Sequence, residues 1–136
     1  MGSRTLIVLD THVLLWWVSG VERLSTKARR AIGAALEDGS VHVSAISLFE
    51  IATALRRGRL AVSVAPDQLL SDLRALTEVS FEPVTADIAQ AAGRLGNDFP
   101  GDPADRLIVC TASALGANLV SADDRLRRTP GISVIW

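Results

Sequence analysis

Four carboxylates in this chain have the types and positions that metal-assisted chemistry would use. Asp10, in TLIVLDTHVLLWW, is the one charge at the joint of two apolar segments. Glu50 lies in VHVSAISLFEIA, Asp105 in GDPADR and Asp123 in LVSADDRL, so the four are spread over more than a hundred residues. Carboxylates brought into one pocket repel, and some must then stay protonated at neutral pH. A divalent cation removes that penalty. Mg²⁺ or Mn²⁺ takes oxygen ligands and keeps several waters, so a few carboxylates suit it. Such an ion can generate hydroxide, and a pair about 4 Å apart can clamp the attacking and leaving oxygens of a phosphodiester. Zinc suits the chain less well, because Cys110 is alone and His12 and His42 have no ligand spacing.

Each acid also has a purely structural reading. Asp10 or Thr11 could cap a helix. Ser47-Leu48-Phe49-Glu50 fits a capping box. Asp102-Pro103 is an N-cap followed by proline at the first helical position, which leaves Asp105 near the positive helix end. Asp123 and Asp124 could start a short final helix. What separates chemistry from capping is whether the four share one place, and that is a question about elements.

Strand patterns fall at 5–9, 41–44, 79–84, 118–121 and 132–135. Helical patterns fall at 11–18, 25–38, 45–57, 66–76, 86–95 and 103–115, with Gly39 and Gly116 where C-caps belong. This alternation predicts an α/β fold, a parallel four- or five-stranded sheet with right-handed crossovers and helices on both faces. LIVL is apolar at every position, as a strand covered on both faces should be. Pro83 lacks a ladder donor, which sends the third strand to an edge. In a parallel sheet all C-terminal strand ends lie along one side, and ligands bind there near the point where strand order reverses. Asp10, Glu50 and Asp123 follow strands one, two and four, and Asp105 opens the helix that must run down from the same side. Asp87, in VTADIA, obeys the same rule. An edge strand, however, stands about two spacings of roughly 4.8 Å from strand one, so Asp87 is assigned to a helix start.

Composition bounds the rest. The 136 residues suit one domain spanning 1–136, without repeat, linker or low-complexity tract. A hydrophobic fraction of 49% excludes disorder and leaves apolar surface for a partner. No apolar run reaches the roughly 20 residues of a membrane span, and MGSRTLIVLD makes a poor signal peptide, so a cytoplasmic location is expected. Lone Cys110 in LIVCTA reads as a small buried hydrophobe. The net charge of −1 offers nucleic acid no overall attraction. Basic clusters at Arg29-Arg30, Arg56-Arg57-Gly58-Arg59 and Arg125-Leu126-Arg127-Arg128 read singly as solvated helix ends, although a local rim could meet phosphates. Trp16 and Trp17 are neighbours on one helix and cannot both enter the core, so one is free for an interface or for partial burial. His12 and His42 are assigned to structure.

VLDTHVLLWW, VSAISLFEIA followed by RRGRL, GDPADRLIVCTA and LVSADDRL resemble, in order and spacing over nearly the whole chain, the motifs of PIN-domain proteins. Within that superfamily they resemble the VapC-type toxins of toxin–antitoxin pairs. The resemblance implies a sheet of order 3-2-1-4-5 and a Mg²⁺- or Mn²⁺-dependent endoribonuclease acting on RNA. It implies an acidic site of Asp10, Glu50, Asp105 and Asp123, with Asp10 and Asp105 holding the metal most directly and Glu50 and Asp123 completing the site or orienting water. Ser121 matches a hydroxyl position near it, and Thr11 sits beside the first acid. The implied partners are a small antitoxin that covers the crevice and a second copy of the chain. One departure stands out: many relatives carry His shortly before GDPxDR, and this chain has Phe99-Pro100-Gly101. Two other readings of the acidic residues remain at this stage. One is a receiver-like phosphoacceptor domain, which wants adjacent acids after strand one and a late lysine. Here Leu9 precedes Asp10 and the only lysine is Lys27. The other is a PIN-fold module that binds without catalysis.

Overall fold

The strand patterns mature into five short strands: β1 (Ile7–Leu9), β2 (Val41–Ser44), β3 (Val79–Glu82), β4 (Asn118–Val120) and β5 (Val134–Ile135). The computed structural model describes residues 6–39, 41–99 and 101–136. Thr5, read from sequence as the start of β1, lies outside the described residues, as does Pro100. All strands are parallel, in the order β3-β2-β1-β4-β5. β3 is therefore an edge, as Pro83 required, with the proline just past the last ladder residue.

The helices are α1 (Thr11–Ser19), α2 (Thr26–Asp38), α3 (Ile46–Arg56), α4 (Pro66–Arg74), α5 (Ala86–Arg94), α6 (Pro103–Leu115) and the short α7 (Asp124–Arg127). Their ends follow local chemistry. Ser25 and Thr85 cap α2 and α5 through their hydroxyls. Gly39 and Gly116 end α2 and α6 with φ of 68° and 65°, a region costly for any residue with a Cβ.

β1 shows how the sheet is held. Ile7, Val8 and Leu9 are all fully buried, and alternation sends them to opposite faces. Ile7 and Leu9 join Val13, Leu14, Ile32, Ile51 and Leu73 from α1 to α4. Val8 joins Ile108, Val109, Ala112 and Leu126 from α6 and α7. Both faces are covered by helices, which is why the strand can be uniformly apolar. Trp17 packs against the first cluster. Trp16 lies instead between His12 and Trp136, with ring centroids 5.9 and 5.8 Å away.

The chain leaves β1 for β2 and β3 on one side and places β4 and β5 on the other. Strand order reverses between β1 and β4. The crevice beyond their C-terminal ends is where such sheets bind ligands.

Candidate active site

A cavity of about 440 Å³ opens at that point, and Asp10, Glu50, Asp105 and Asp123 all line it. Asp87, in the first turn of α5, does not. Asp102 does, and so do His12 and Arg125. The sequence reading placed Asp102 only as an N-cap and His12 only in structure. Asp102 both caps α6, through a 2.9 Å bond from Ala104 N, and adds a fifth carboxylate to the wall. His42, by contrast, stays structural: its Nδ1 is 2.7 Å from Glu82 Oε1 on the neighbouring strand.

Asp10 is held by three contacts. Its amide extends the ladder to Val120 O at 3.1 Å, and its Oδ1 accepts from Val13 N at 2.9 Å to cap α1. The Ser121 hydroxyl bonds its carboxylate as well. Ser121 is fully buried, and its oxygen accepts from Asp123 N at 3.1 Å, so this one side chain ties the end of β1 to the turn after β4. Capping and site membership are thus not alternatives for Asp10. Burial pushes its carboxyl above the usual range, against the pull of the Ser121 and Val13 bonds.

For Glu50 the capping box is overturned. The N-cap of α3 is Ala45, which has no side chain to bond, and Ser44 Oγ accepts from Ile46 N at 3.2 Å. Ser47 lies inside the helix, fully buried, and its oxygen is 2.9 Å from Thr11 Oγ1. Thr11 in turn is 2.5 Å from Glu50 Oε1. A hydroxyl has one proton, and the carboxylate is the stronger acceptor, so Thr11 donates to Glu50 and Ser47 donates to Thr11. The register differs from a capping box because β2 turns directly into α3, leaving Glu50 in the second turn, facing α1. Burial raises its pKa, with Asp102 and Asp10 adding repulsion and Thr11 opposing.

Asp105, in the first turn of α6, is the most perturbed of the set. Burial first, then repulsion from Asp102, Asp123 and Glu50, pushes it from 3.8 up to about 6, despite Arg125. Asp123 goes the other way. It caps α7 through a 2.8 Å bond from Arg125 N, and Arg125 Nη2 returns to its Oδ2 at 2.9 Å. That pairing holds Asp123 below the usual range. The same Nη2 reaches Asp105 Oδ2 at 3.4 Å. Arg125 is thus not simply a solvated helix end: it supplies positive charge to two of the four acids from within the chain.

The donors fit a hard divalent ion, since every carboxylate in the set offers oxygen and three of the four are raised by burial, with repulsion between them adding. Yet among the described residues no group of three or more His, Cys, Asp or Glu side chains is already drawn together as an ion's ligand set. Asp10 is engaged by Val13 and Ser121, Glu50 by Thr11, and Asp123 by Arg125. Taking up an ion would exchange some of those partners.

The sequence profile of the PIN domain matches residues 7–132. The chain belongs to the PIN-domain family. It is similar to Ribonuclease VapC22 of Mycobacterium tuberculosis, 41% identical across 97% of this chain and 99% of that protein. Among solved structures it resembles VapBC2 from Rickettsia felis bound to a promoter DNA fragment, with a TM-score of 0.70 at 16% identity, covering 96% and 97% of the two chains. It also resembles VapC20 of Mycobacterium tuberculosis, a toxin that cleaves the sarcin–ricin loop, with a TM-score of 0.61 at 23% identity over 87% and 90%. Before GDPxDR this chain carries Phe99-Pro100. Phe99 is buried against Ile108 and its cluster, with the Arg106 guanidinium carbon 5.6 Å from its ring centroid. That position packs here. Of the residues that sequence reasoning left outside the site, Arg125 had a local signal, since the second residue of a helix capped by Asp123 lies within reach of the cap.

Proposed function

We propose that the protein is a Mg²⁺- or Mn²⁺-dependent endoribonuclease that acts as the toxin of a toxin–antitoxin pair. One observation carries the reading: four carboxylates from four separate segments line a single crevice at the switch point of the sheet, where burial, with repulsion from Asp102, Asp123 and Glu50, raises Asp105 to about 6. The similarity to a ribonuclease over almost the full length of both chains supports the choice of RNA.

In this reading Asp10 and Asp105 hold the ion, and Glu50 and Asp123 complete its surroundings or orient water. An ion held there would supply a water of lowered pKa and positive charge beside the scissile phosphate. The chain's own contribution is positional. Ser121 aims Asp10 and fixes the turn bearing Asp123. The Ser47–Thr11 hydroxyl pair orients Glu50, so a carboxylate on one helix is set by a residue on another. Restraint of this kind brings reacting groups together without an entropic cost at the moment of reaction.

An antitoxin partner is supported by a second cavity, of about 590 Å³, beside the crevice. Leu15, Trp16, Val18, Val21, Leu60 and Val62 line it, and Val18, Val21 and Val62 are exposed apolar side chains. A helix or extended segment with apolar anchors suits such a groove. We also propose a homodimer, tested by light scattering. We propose the cytoplasm, where RNA is at hand, as its place of work; no helix among the described residues is long and apolar enough to cross a membrane.

The test is cleavage of RNA with Mn²⁺, with and without a chelator, by wild type, Asp10→Asn and Glu50→Gln. Both variants should lose at least about a hundredfold in rate while keeping native circular dichroism. Cleavage by Asp10→Asn at the wild-type rate removes the acidic crevice from the reaction.

A further inference from the structure

A third cavity, of about 610 Å³, continues from the crevice along α3. Thr11, His12, Glu50 and Asp102 line both, so the two spaces are contiguous. The extension has a different character from the acidic end. Phe49, the residue before Glu50, is 67% exposed on its wall, the most exposed large hydrophobic side chain described. Thr53 follows Phe49 at an interval of four on the same face of α3, and Arg57, its C-cap, and Arg59, just past it, join them on the wall. Both arginines are exposed, and neither has an ion pair among the described residues. From Glu50 to the last helical residue, Arg56, the helix rises about 9 Å, and Arg57 and Arg59 stand just beyond it.

An exposed phenyl ring one residue from a catalytic carboxylate calls for a planar partner, and unpaired arginines beyond it call for an anion. A single-stranded nucleic acid offers both in alternation, bases to stack and phosphates to pair. A space of this size falls in the range of small-molecule sites and has room for a nucleoside. A protein partner would satisfy Phe49 but gives no particular reason for two arginines beside it. The charge pattern also matches: acids at the crevice repel phosphate unless an ion is held there, while the arginines draw the flanking backbone along α3.

We propose that the face of α3 bearing Phe49, together with Arg57 and Arg59 at and just past its C-terminal end, is a substrate subsite, in which Phe49 stacks a base adjacent to the scissile phosphate and the arginines hold a neighbouring phosphate. This rests on the ribonuclease reading and names how that site takes its substrate. Phe49 sets the register of the strand, and Arg57 and Arg59 add affinity that does not depend on sequence.

The experiment is steady-state cleavage, with Mn²⁺, of a short single-stranded RNA of mixed sequence carrying a fluorophore and a quencher. Phe49→Ala should lower kcat/KM by about 5- to 150-fold, the range of one lost stacking contact, mainly through KM. Phe49→Trp should restore most of it. The Arg57→Gln/Arg59→Gln double variant should raise KM and flatten the salt dependence of log KM by about two. Light scattering on each variant completes the set. Unchanged KM in Phe49→Ala overturns the subsite, as does a fall in kcat alone accompanied by a change in oligomeric state, which would make this face a protein interface. Failure of wild type to cleave any RNA would count against the nuclease reading itself, and is separately visible because Asp10→Asn would then match wild type.

Discussion

Replacing Asp105 by Asn should make the metal-free protein more stable at neutral pH while ending its activity. In the folded chain the Asp105 carboxyl titrates near 6 against 3.8 when unperturbed, so between those values the native state binds more protons than the unfolded state. Stability contributed by this group is therefore full below about pH 4 and is lost as pH rises through about 6. The rise from 3.8 to about 6 corresponds to about 3 kcal/mol before screening. The side chain is 19% exposed and half-paired to Arg125 at an open rim, which brings a realistic figure to about 1–2 kcal/mol. Urea unfolding of wild type and Asp105→Asn, in a chelator, at pH about 4 and about 7.5 measures it. The two proteins should be matched at the lower pH, and the variant should be more stable by that amount at the higher. Comparing them at one pH cancels most of the other titrations, including Asp123, whose lowered pKa has the opposite slope. Added Mn²⁺ should reverse the order, since an ion that binds only the folded wild type stabilises it by mass action. A variant less stable than wild type at neutral pH in chelator, or a gap identical at both pH values, refutes the claim that crowding strains this site.

Thr11→Val removes the hydroxyl between Ser47 and Glu50. The Glu50 carboxyl should rise further, moving the acidic limb of the rate–pH profile upward, and the buried Ser47 hydroxyl should lose its partner, at a cost of about 1–2 kcal/mol in unfolding free energy. Arg106→Ala should act on stability rather than chemistry. Its guanidinium donates to the carbonyls of Leu95, Gly96, Ala92 and Phe99 at 2.9 to 3.4 Å, fastening the turn between α5 and α6. Loss of about 2–3 kcal/mol is expected from these charged donors, read as a lower thermal midpoint with Mn²⁺ affinity little changed.

Much of this was open to inspection in the residue order. LIVL announced a strand covered on both faces, Pro83 an edge, Gly39 and Gly116 helix ends, and the position of each acid after a strand or at a helix start placed all four on one side of a parallel sheet. These are local signals: period, propensity and capping act within a few residues, and parallel topology turns them into a shared edge. The same locality explains the errors. Ser47-Leu48-Phe49-Glu50 has a capping-box pattern, but β2 feeds α3 so directly that the helix has begun before Ser47.

What the tertiary structure alone decided is the state of the site. Thr11 meets Ser47 and Glu50 across 36 and 39 residues, and Arg125 meets Asp105 across 20, contacts that no short pattern encodes. Asp102 became a wall of the crevice, and Phe49 was left facing the solvent beside two arginines that have no ion pair among the described residues. Sequence determined which groups come to the sheet edge, because the backbone repeats are short-range. Their charge, hydrogen-bond partners and exposure depend on the distances between elements, which exist only once the core has packed.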